Sequence, residues 1–331
     1  MCGRLAFQVS LRAALAAAFF ALTCFPTLTC LPVLAQAPDV VKIAMPQRGT
    51  WETSPADIGQ VKGIFAKHGI KTETVYTSGG GETMQALISG SVDVAVATGV
   101  ASIMAVFAKG APVRPIGNSV IGAREPFWYV PAASPVNTLK DAAGKTIAFS
   151  AIGSSSHLAV LTLIKMAGVP LKAQPAGTPQ ATYTQVMSSQ IDIGWGAAPF
   201  GMAQLAEKKI RIVARYSDIP EYRDMNARMH VANLTFITGR PQVLQRFLAG
   251  YAETLAWMAN GEESVEAFAK FYGHPVDETR TTRDQFYPAE SLVLNKIGGI
   301  DQAMADAQAL KFITKPFTKA ELDELFKYYV K

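Results

Sequence analysis

Hydrophobic and polar residues change their spacing within the segment Met84–Gly99. In its first half the apolar residues share one helical face, at Met84, Leu87 and Ile88. Gly90 and Ser91 then predict a tight turn. In its second half β-branched residues alternate with other side chains, as is typical of a strand, at Val92, Val94 and Val96. The segment therefore predicts a helix, a turn and a short buried strand.

The same pattern returns 99 residues later in Thr184–Gly196. Both copies place an aspartate between two β-branched residues, and they differ at the end of the strand, where Trp195 stands in the place of Val96. We interpret Asp93 and Asp192 as structural residues that accept backbone hydrogen bonds next to a turn. A unit that occurs twice predicts two lobes of similar build, with a cleft between them.

Predicted strands and helices alternate on both sides of a crossing point at Gly122–Pro126. Val231–Thr238 is predicted as a strand that returns the chain to the first lobe. From Pro241 the pattern is helical almost to the end, in a tail expected to pack on lobe one and to fix the hinge. The expected fold class is α/β, with two lobes that are each a mostly parallel sheet flanked by helices. Lobe one comprises residues 36–121 and 235–331, and lobe two residues 122–234.

The first 35 residues have the features of a secretory signal peptide. Arg4 and Arg12 form a basic start, an apolar stretch follows from Ala13, and small residues at Val33 and Ala35 suit cleavage before Gln36. A membrane anchor is the alternative, but the uninterrupted apolar run is shorter than the roughly 20 residues that a spanning helix needs. We therefore expect an exported, periplasmic protein.

Composition excludes several classes of function. All three cysteines lie in the predicted signal peptide, at Cys2, Cys24 and Cys30, so the mature chain would have no disulfide, thiolate nucleophile or cysteine metal site. Without Arg4 and Arg12 the net charge falls from +5 to +3, because no acidic residue is lost. That surplus is too small for a nucleic-acid-binding protein and is compatible with a small anionic ligand.

Two loops of small residues are the main candidates for ligand contact. Ser78–Thr83 and Ile152–Ser156 each join a predicted strand to a helix, where free backbone N–H groups and the helix dipole favour an anion. Ordinary helix capping explains either loop alone. We expect the two loops to occupy equivalent places in the two lobes, which favours a ligand site. Neither loop fits a nucleotide-binding glycine motif.

Other side chains near these loops have two interpretations each. Glu82 either complements the dipole of its helix or binds a cationic group such as an amine. Trp51, Trp128 and Trp195 either stack on a ligand or belong to the core, and Trp195 is the strongest candidate because it ends the repeated strand. His157 follows three serines, but it has no nucleophile elbow, so hydrolysis is disfavoured.

Four segments together resemble the extracytoplasmic solute-binding proteins of ABC importers. They are Lys62–Ile70 (KGIFAKHGI), Ala86–Ala95 (ALISGSVDVA), Leu139–Ala148 (LKDAAGKTIA) and Gln190–Gly194 (QIDIG). The resemblance is to the branch with sulfonate-, taurine- and nitrate-binding proteins and their thiamine-pyrimidine-precursor relatives. It spans about Val40–Thr238.

The resemblance implies a type II periplasmic binding protein fold that closes by hinge motion over one small molecule. It also implies ligand contacts at the loop after strand one, the two helix starts and the ends of the repeated strands. With the loops above, the expected ligand-binding residues are Gly49, Thr50, Trp51, Ser78, Gly79, Gly80, Gly81, Glu82, Thr98, Gly99, Ser154, Ser155, Ser156, His157, Trp195 and Gly196.

The expected function is to bind a small anionic organic solute, such as a sulfonate, taurine or a related carboxylate. The resemblance implies delivery of that solute to an inner-membrane permease with a cytoplasmic ATPase, by a monomer without cofactor or metal. A pyrimidine precursor or an aromatic compound is the alternative ligand. Pyrimidine synthases on the same fold resemble the chain too, but their cysteine-rich motif is missing, so we expect no enzyme.

Overall fold

The computed structural model describes residues 37–330, and the predicted signal peptide lies outside them. The strands are Asp39–Pro46 (β1), Ile70–Thr77 (β2), Val94–Gly99 (β3), Val113–Ile121 (β4), Pro126–Pro131 (β5), Thr146–Phe149 (β6), Lys172–Pro175 (β7), Gly194–Ala197 (β8), Ile210–Arg215 (β9) and Asn226–Asn233 (β10).

The α-helices are Pro55–Lys62 (α1), Ile64–Lys67 (α2), Gly80–Ile88 (α3), Val100–Ala108 (α4), Ser155–Ala167 (α5), Pro179–Met187 (α6), Met202–Ala206 (α7), Leu234–Gly239 (α8), Pro241–Asn260 (α9), Glu262–Tyr272 (α10), Val276–Phe286 (α11), Ile300–Ala309 (α12) and Lys319–Leu325 (α13). Short 3-10 helices occur at Leu139–Asp141, Tyr216–Asp218, Pro220–Tyr222 and Ala289–Ser291.

Lobe one contains a five-stranded sheet in the order β2-β1-β3-β10-β4. β1 pairs in parallel with β2 and β3, whereas β10 runs antiparallel to both of its neighbours. Four strands therefore point the same way, and the strand that returns from lobe two is the exception. Ile43 and Met45 of β1 pack on one face of the sheet with Phe65, Phe247 and Tyr251.

Lobe two repeats this plan. Its strands form the ladders β8-β5-β9 and β6-β7, which a parallel bridge between Ile147 and Ile193 joins into the order β7-β6-β8-β5-β9. Only β5, the strand that enters from lobe one, runs antiparallel. The expected α/β fold with two mostly parallel sheets is confirmed.

The two repeated aspartates have the same role in the two lobes. Asp93 accepts a hydrogen bond from the backbone N–H of Lys42 at 2.9 Å, and Asp192 accepts one from the backbone N–H of Thr146 at 2.9 Å. Each aspartate precedes the repeated strand and fixes it to a neighbouring strand, β1 in lobe one and β6 in lobe two. Their interpretation as structural residues is confirmed.

The two small-residue loops do not occupy equivalent places, and that expectation was wrong. Ser78–Thr83 follows β2 and precedes α3, whereas Ile152–Ser156 follows β6, which corresponds to β1. By strand order, the counterpart of Ser78–Thr83 is the segment before α6, and the counterpart of Ile152–Ser156 is the loop after β1. The error arose because similar residues were matched without the sheet order that assigns each loop its place.

The return to lobe one also comes earlier than predicted. β10 begins at Asn226, so the strand lies in the sheet of lobe one, although the sequence placed residues up to 234 in lobe two. Residues Leu234–Gly239 form α8 instead of continuing the strand, because Asn233 caps that helix by accepting a hydrogen bond from the N–H of Thr235. Between residues 37 and 330, none of the helices combines the length and apolar character that a membrane span requires.

Candidate functional site

A cavity of about 50 Å³ lies between the two lobes. Lobe one contributes residues from the loop after β1, the start of α3 and the end of β3, including Thr50, Glu52, Gly80 and Gly99. Lobe two contributes the start of α5 and the end of β8, including Ser154, Ser155, Ser156 and Trp195. Arg228, Glu125 and Tyr287 complete the wall. The small volume reflects the close approach of the two lobes at this point.

Glycines allow the two lobes to approach each other closely beside the cavity. A Cβ atom on Gly99 of lobe one would lie 3.0 Å from the backbone nitrogen of Ser155 in lobe two. A Cβ atom on Gly79 would lie 3.3 Å from the Cβ of Ala151. A side chain at Gly99 would push the lobes apart, so this close approach requires glycine at that position.

The start of α5 presents serine hydroxyl groups that are already engaged. Ser154 is the N-cap, and its Oγ accepts a hydrogen bond from the N–H of His157 at 3.1 Å. Ser156 Oγ accepts one from the N–H of Ser150 at 3.0 Å. Ser155 Oγ accepts one from the Arg228 guanidinium at 3.2 Å. The hydroxyls therefore order the loop and the helix start, while the helix presents its first N–H groups and dipole at the same end.

The start of α3 is organised by its own acidic residue. Glu82 accepts a hydrogen bond from the N–H of Ser78 at 2.9 Å, so its carboxylate closes the loop at the positive end of the helix. Of this loop, Gly80 reaches the cavity wall. This contact accords with the dipole interpretation of Glu82, and it directs the carboxylate toward Ser78.

The most unusual feature of the cavity wall is a cluster of one guanidinium and two carboxylates. Arg228 on β10 donates from Nε to Glu52 Oε1 at 3.0 Å, and its Nη2 lies 2.7 Å from Glu52 Oε2. The same Nη2 also donates to Glu125 Oε1. Ser119 Oγ adds a hydrogen bond to Glu52 Oε1. The carboxyl groups are almost inaccessible to solvent, with Glu52 4% and Glu125 2% exposed.

Glu125 is the least satisfied member of this cluster. Its Oε2 has no hydrogen-bond partner among residues 37–330. Burial raises the pKa of Glu125, the positive charge of Arg228 opposes that shift, and the neighbouring charge of Glu52 adds to it. The protonated form of Glu125 is therefore favoured more than it would be in water.

The three tryptophans differ in their surroundings. Trp195 lies on the cavity wall, and its Nε1 donates to the carbonyl oxygen of Gly177 at 3.2 Å. Trp128 is buried and donates to the carbonyl oxygen of Ala148. Trp51 is buried against Phe268, with ring centroids 5.1 Å apart. Only Trp195 of these three has a place on the wall of this cavity.

His157 does not form a catalytic pair with the neighbouring serines. Its Nδ1 accepts a hydrogen bond from the N–H of Gly153 at 3.2 Å, and its ring stacks on Phe149 with centroids 4.2 Å apart. Burial lowers the pKa of His157, which favours the neutral ring. Within the part of the chain that the structure describes, no group of three or more His, Cys, Asp or Glu residues could hold a metal ion.

The structure brings together part of the expected ligand-binding set. Thr50, Gly80, Gly99, Ser154, Ser155, Ser156 and Trp195 line the cavity. The other expected residues lie beside or behind its wall, namely Gly49, Trp51, Ser78, Gly79, Gly81, Glu82, Thr98, His157 and Gly196. The ligand contacts of both groups remain predictions.

Sequence analysis missed the charged cluster and Tyr287. Glu52 directly follows the expected contact loop, Glu125 lies in the predicted crossing point, and Arg228 precedes the predicted strand Val231–Thr238. Tyr287 belongs to the tail and donates a hydrogen bond to the carbonyl oxygen of Ala198 in lobe two. The available signal was a charged residue close to a predicted strand, since Arg228 lies three positions before Val231.

Solved structures with the same fold include binding proteins and an enzyme. The chain resembles the alkanesulfonate-binding protein SsuA from Xanthomonas axonopodis pv. citri bound to MOPS, at 18% identity and a TM-score of 0.68 over 89% of this chain and 95% of that chain. The periplasmic nitrate-binding protein NrtA from Synechocystis PCC 6803 matches at 11% identity and a TM-score of 0.68 over 88% and 86%. The desulfurization enzyme DSZB matches at 13% identity and a TM-score of 0.63 over 88% and 96%.

These likenesses establish the periplasmic binding protein fold. The identities are too low to transfer a ligand or a reaction from these proteins to this chain. No curated protein sequence matches the chain. A family model described as NMT1/THI5 like matches residues 53–264, which include every strand except β1 and most of the cavity wall. The chain belongs to the NMT1/THI5 like family.

Proposed function

We propose that the protein is the extracytoplasmic solute-binding component of an ABC importer. It captures one small organic solute between its lobes and delivers it to an inner-membrane permease with a cytoplasmic ATPase. The observation that carries this proposal is the closed cavity, whose wall combines polar groups from both lobes. Export by the predicted signal peptide would place a monomeric protein in the periplasm.

Hinge closure follows from the distribution of contacts. Arg228 belongs to the sheet of lobe one, yet it donates to Ser155 at the start of α5 in lobe two. A solute in the cavity touches both lobes only when they are closed, so binding favours the closed form. The hinge consists of two chain segments, one around Gly122 and one just before β10.

The proposed solute has an anionic group, as in a sulfonate such as taurine or in a related carboxylate. The first backbone N–H groups of α5 and α3 are the groups suited to receive it. A pyrimidine precursor or an aromatic compound is the second candidate, favoured by the position of Trp195 on the wall.

We propose binding rather than catalysis. The His157 ring is held by Gly153 and Phe149 instead of activating a serine hydroxyl. A desulfurization enzyme shares the fold, so the fold itself does not decide between the two activities.

A thermal-shift screen of sulfonates, nitrate, aromatic acids and pyrimidines tests the proposal, because a ligand of the native state raises the melting temperature. For each hit, calorimetric titration is expected to give one bound molecule per chain. NMR spectra are expected to show that the solute is unchanged after prolonged incubation. Conversion of the solute, lost in His157→Ala, would show an enzyme instead. His68→Ala serves as a control, because His68 is bonded to Glu253 on the surface of lobe one.

A further inference from the structure

The cavity wall has more acidic than basic groups. Its charged side chains are Glu52, Glu125 and Arg228. Both carboxylate oxygens of Glu52 have partners, because Arg228 contacts both of them and Ser119 donates a hydrogen bond to one. Glu52 therefore already balances the charge of Arg228, which is the one basic side chain among the described residues of the wall. Ionised Glu125 leaves the wall with one negative charge in excess.

Glu125 also lacks a hydrogen bond at one of its oxygens within residues 37–330. Glu125 Oε1 accepts from Arg228, whereas Glu125 Oε2 has no partner among the described residues. The titratable groups around Glu125 are Arg228, Glu52, Tyr216 and Tyr287. The Tyr287 hydroxyl donates a hydrogen bond to the carbonyl oxygen of Ala198, so it is not directed at Glu125. A buried carboxylate oxygen without a donor is costly, and a ligand donor relieves that cost.

We infer that the solute carries a protonated nitrogen, an amine or an amidine, and that Glu125 is the residue that receives it. The inference rests on the proposed solute-binding function and names the chemistry of its ligand. A cationic N–H donor supplies both what Glu125 Oε2 lacks, a hydrogen bond, and what the wall lacks, a positive charge. With an anionic group at the start of α5, the solute is a zwitterion.

An anion without such a nitrogen fits the cluster poorly. With Glu125 ionised, it would add a second excess negative charge to a site of low dielectric, where like charges repel strongly. Arg228 could not leave Glu52 and Glu125 to pair with it without exposing two buried carboxylates to each other. The site therefore discriminates against simple anions through repulsion as well as favouring the cation.

Binding of the cation is coupled to the protonation of Glu125. Burial favours the neutral acid, whereas a protonated nitrogen requires the carboxylate. The affinity for a cationic solute therefore decreases as the pH is lowered through the raised pKa of Glu125, because more Glu125 is protonated and must release its proton on binding.

Calorimetric titration of the full-length mature protein with matched pairs of probes tests the inference. The pairs are ethanesulfonate with taurine, propanoate with β-alanine, and 4-methylbenzoate with 4-(aminomethyl)benzoate, which differ only in the amine. In each pair that binds, we expect the amine member to bind at least tenfold more tightly at about pH 8, which is about 1.4 kcal/mol. In Glu125→Gln this preference is expected to vanish, together with its pH dependence. Glu266→Gln, an exposed residue of α10, is the control and is expected to keep both.

Equal or tighter binding of the amine-free probes by the wild-type protein overturns the inference and leaves the solute-binding role intact. An undiminished amine preference in Glu125→Gln also overturns it. Absence of binding by every probe contradicts the inference, whereas the proposed function is contradicted only if the wider screen with nitrate, aromatic acids and pyrimidines also finds no ligand. The comparison of probes uses the wild-type chain, so it does not depend on the folding of the variant.

Discussion

Ser154 and Ser155 are neighbours at the start of α5, but their hydroxyl groups have different partners. Ser154 caps the helix through the N–H of His157, whereas Ser155 accepts from Arg228 across the cleft. One residue therefore stabilises an element of lobe two, and the other joins the two lobes. Their alanine variants should separate these two effects.

We expect Ser154→Ala to lower the free energy of unfolding by about 1 kcal/mol, the usual cost of losing an N-cap. Ser155→Ala is expected to have a smaller effect on stability and to weaken solute binding, because Arg228 loses its contact with lobe two. Denaturant unfolding and calorimetric titration measure the two quantities. If Ser154→Ala, Ser155→Ala and Ser78→Ala all leave the affinity unchanged, the placement of an anion at the helix starts is wrong.

Local chemistry at this scale was predictable, but distant pairing was not. Serines before a helical pattern indicate a cap, because the cap partner lies three residues away. Arg228 finds Glu125 across 103 positions and Glu52 across 176 positions of the chain. No local pattern specifies such a contact, because it exists only once β10 has returned to the sheet of lobe one.

At the scale of elements, β3 and β8 are equivalent strands fixed by equivalent aspartates. Asp192 accepts from the N–H and the hydroxyl of Thr146 and from Lys145. Partial burial raises the pKa of Asp192, but these hydrogen bonds outweigh it and lower the pKa below its usual value. The stabilisation therefore belongs to the ionised form and is lost as the pH falls through the folded-state pKa.

We expect Asp93→Ala and Asp192→Ala each to reduce the free energy of unfolding by about 1–2 kcal/mol, since each removes hydrogen bonds to a charged group. Solute affinity should be unchanged, because both residues are remote from the cavity wall. Thermal unfolding at several pH values checks this. For Asp192→Ala, the difference from wild type should shrink under acidic conditions. A loss of affinity without a loss of stability would contradict the structural role.

The repeated helix, turn and strand were visible in the sequence because apolar spacing is a local property. The sheet order was not visible, and it decides which loops correspond. For that reason Ile152–Ser156 was matched to Ser78–Thr83, although its place in the fold is that of the loop after β1. The end of β10 was misjudged because Asn233 starts a helix in a segment whose β-branched residues favour a strand.

At the scale of the whole molecule, glycines of lobe one lie against the α5 loop of lobe two. The tail contributes as well, because Tyr287 lines the cavity and bonds to Ala198, so the tail contacts both lobes rather than lobe one alone. A Cβ atom on Gly79 would lie 3.3 Å from the Cβ of Ala151. A disulfide needs roughly 3.5–4.5 Å between its Cβ atoms, so a shift of a few tenths of an ångström would fit one here. All three cysteines precede residue 36, so the mature chain would supply no competing thiol.

The most direct test of capture between the lobes is retention of a bound solute by the variant Gly79→Cys/Ala151→Cys. We predict that oxidation in the presence of a labelled solute traps one molecule per chain through dialysis, and that reduction releases it. The single variant Gly79→Cys, which cannot form the bridge, should lose the solute under both conditions. Loss of the solute at the same rate from the oxidised and reduced double variant would contradict capture in a cleft that opens and closes.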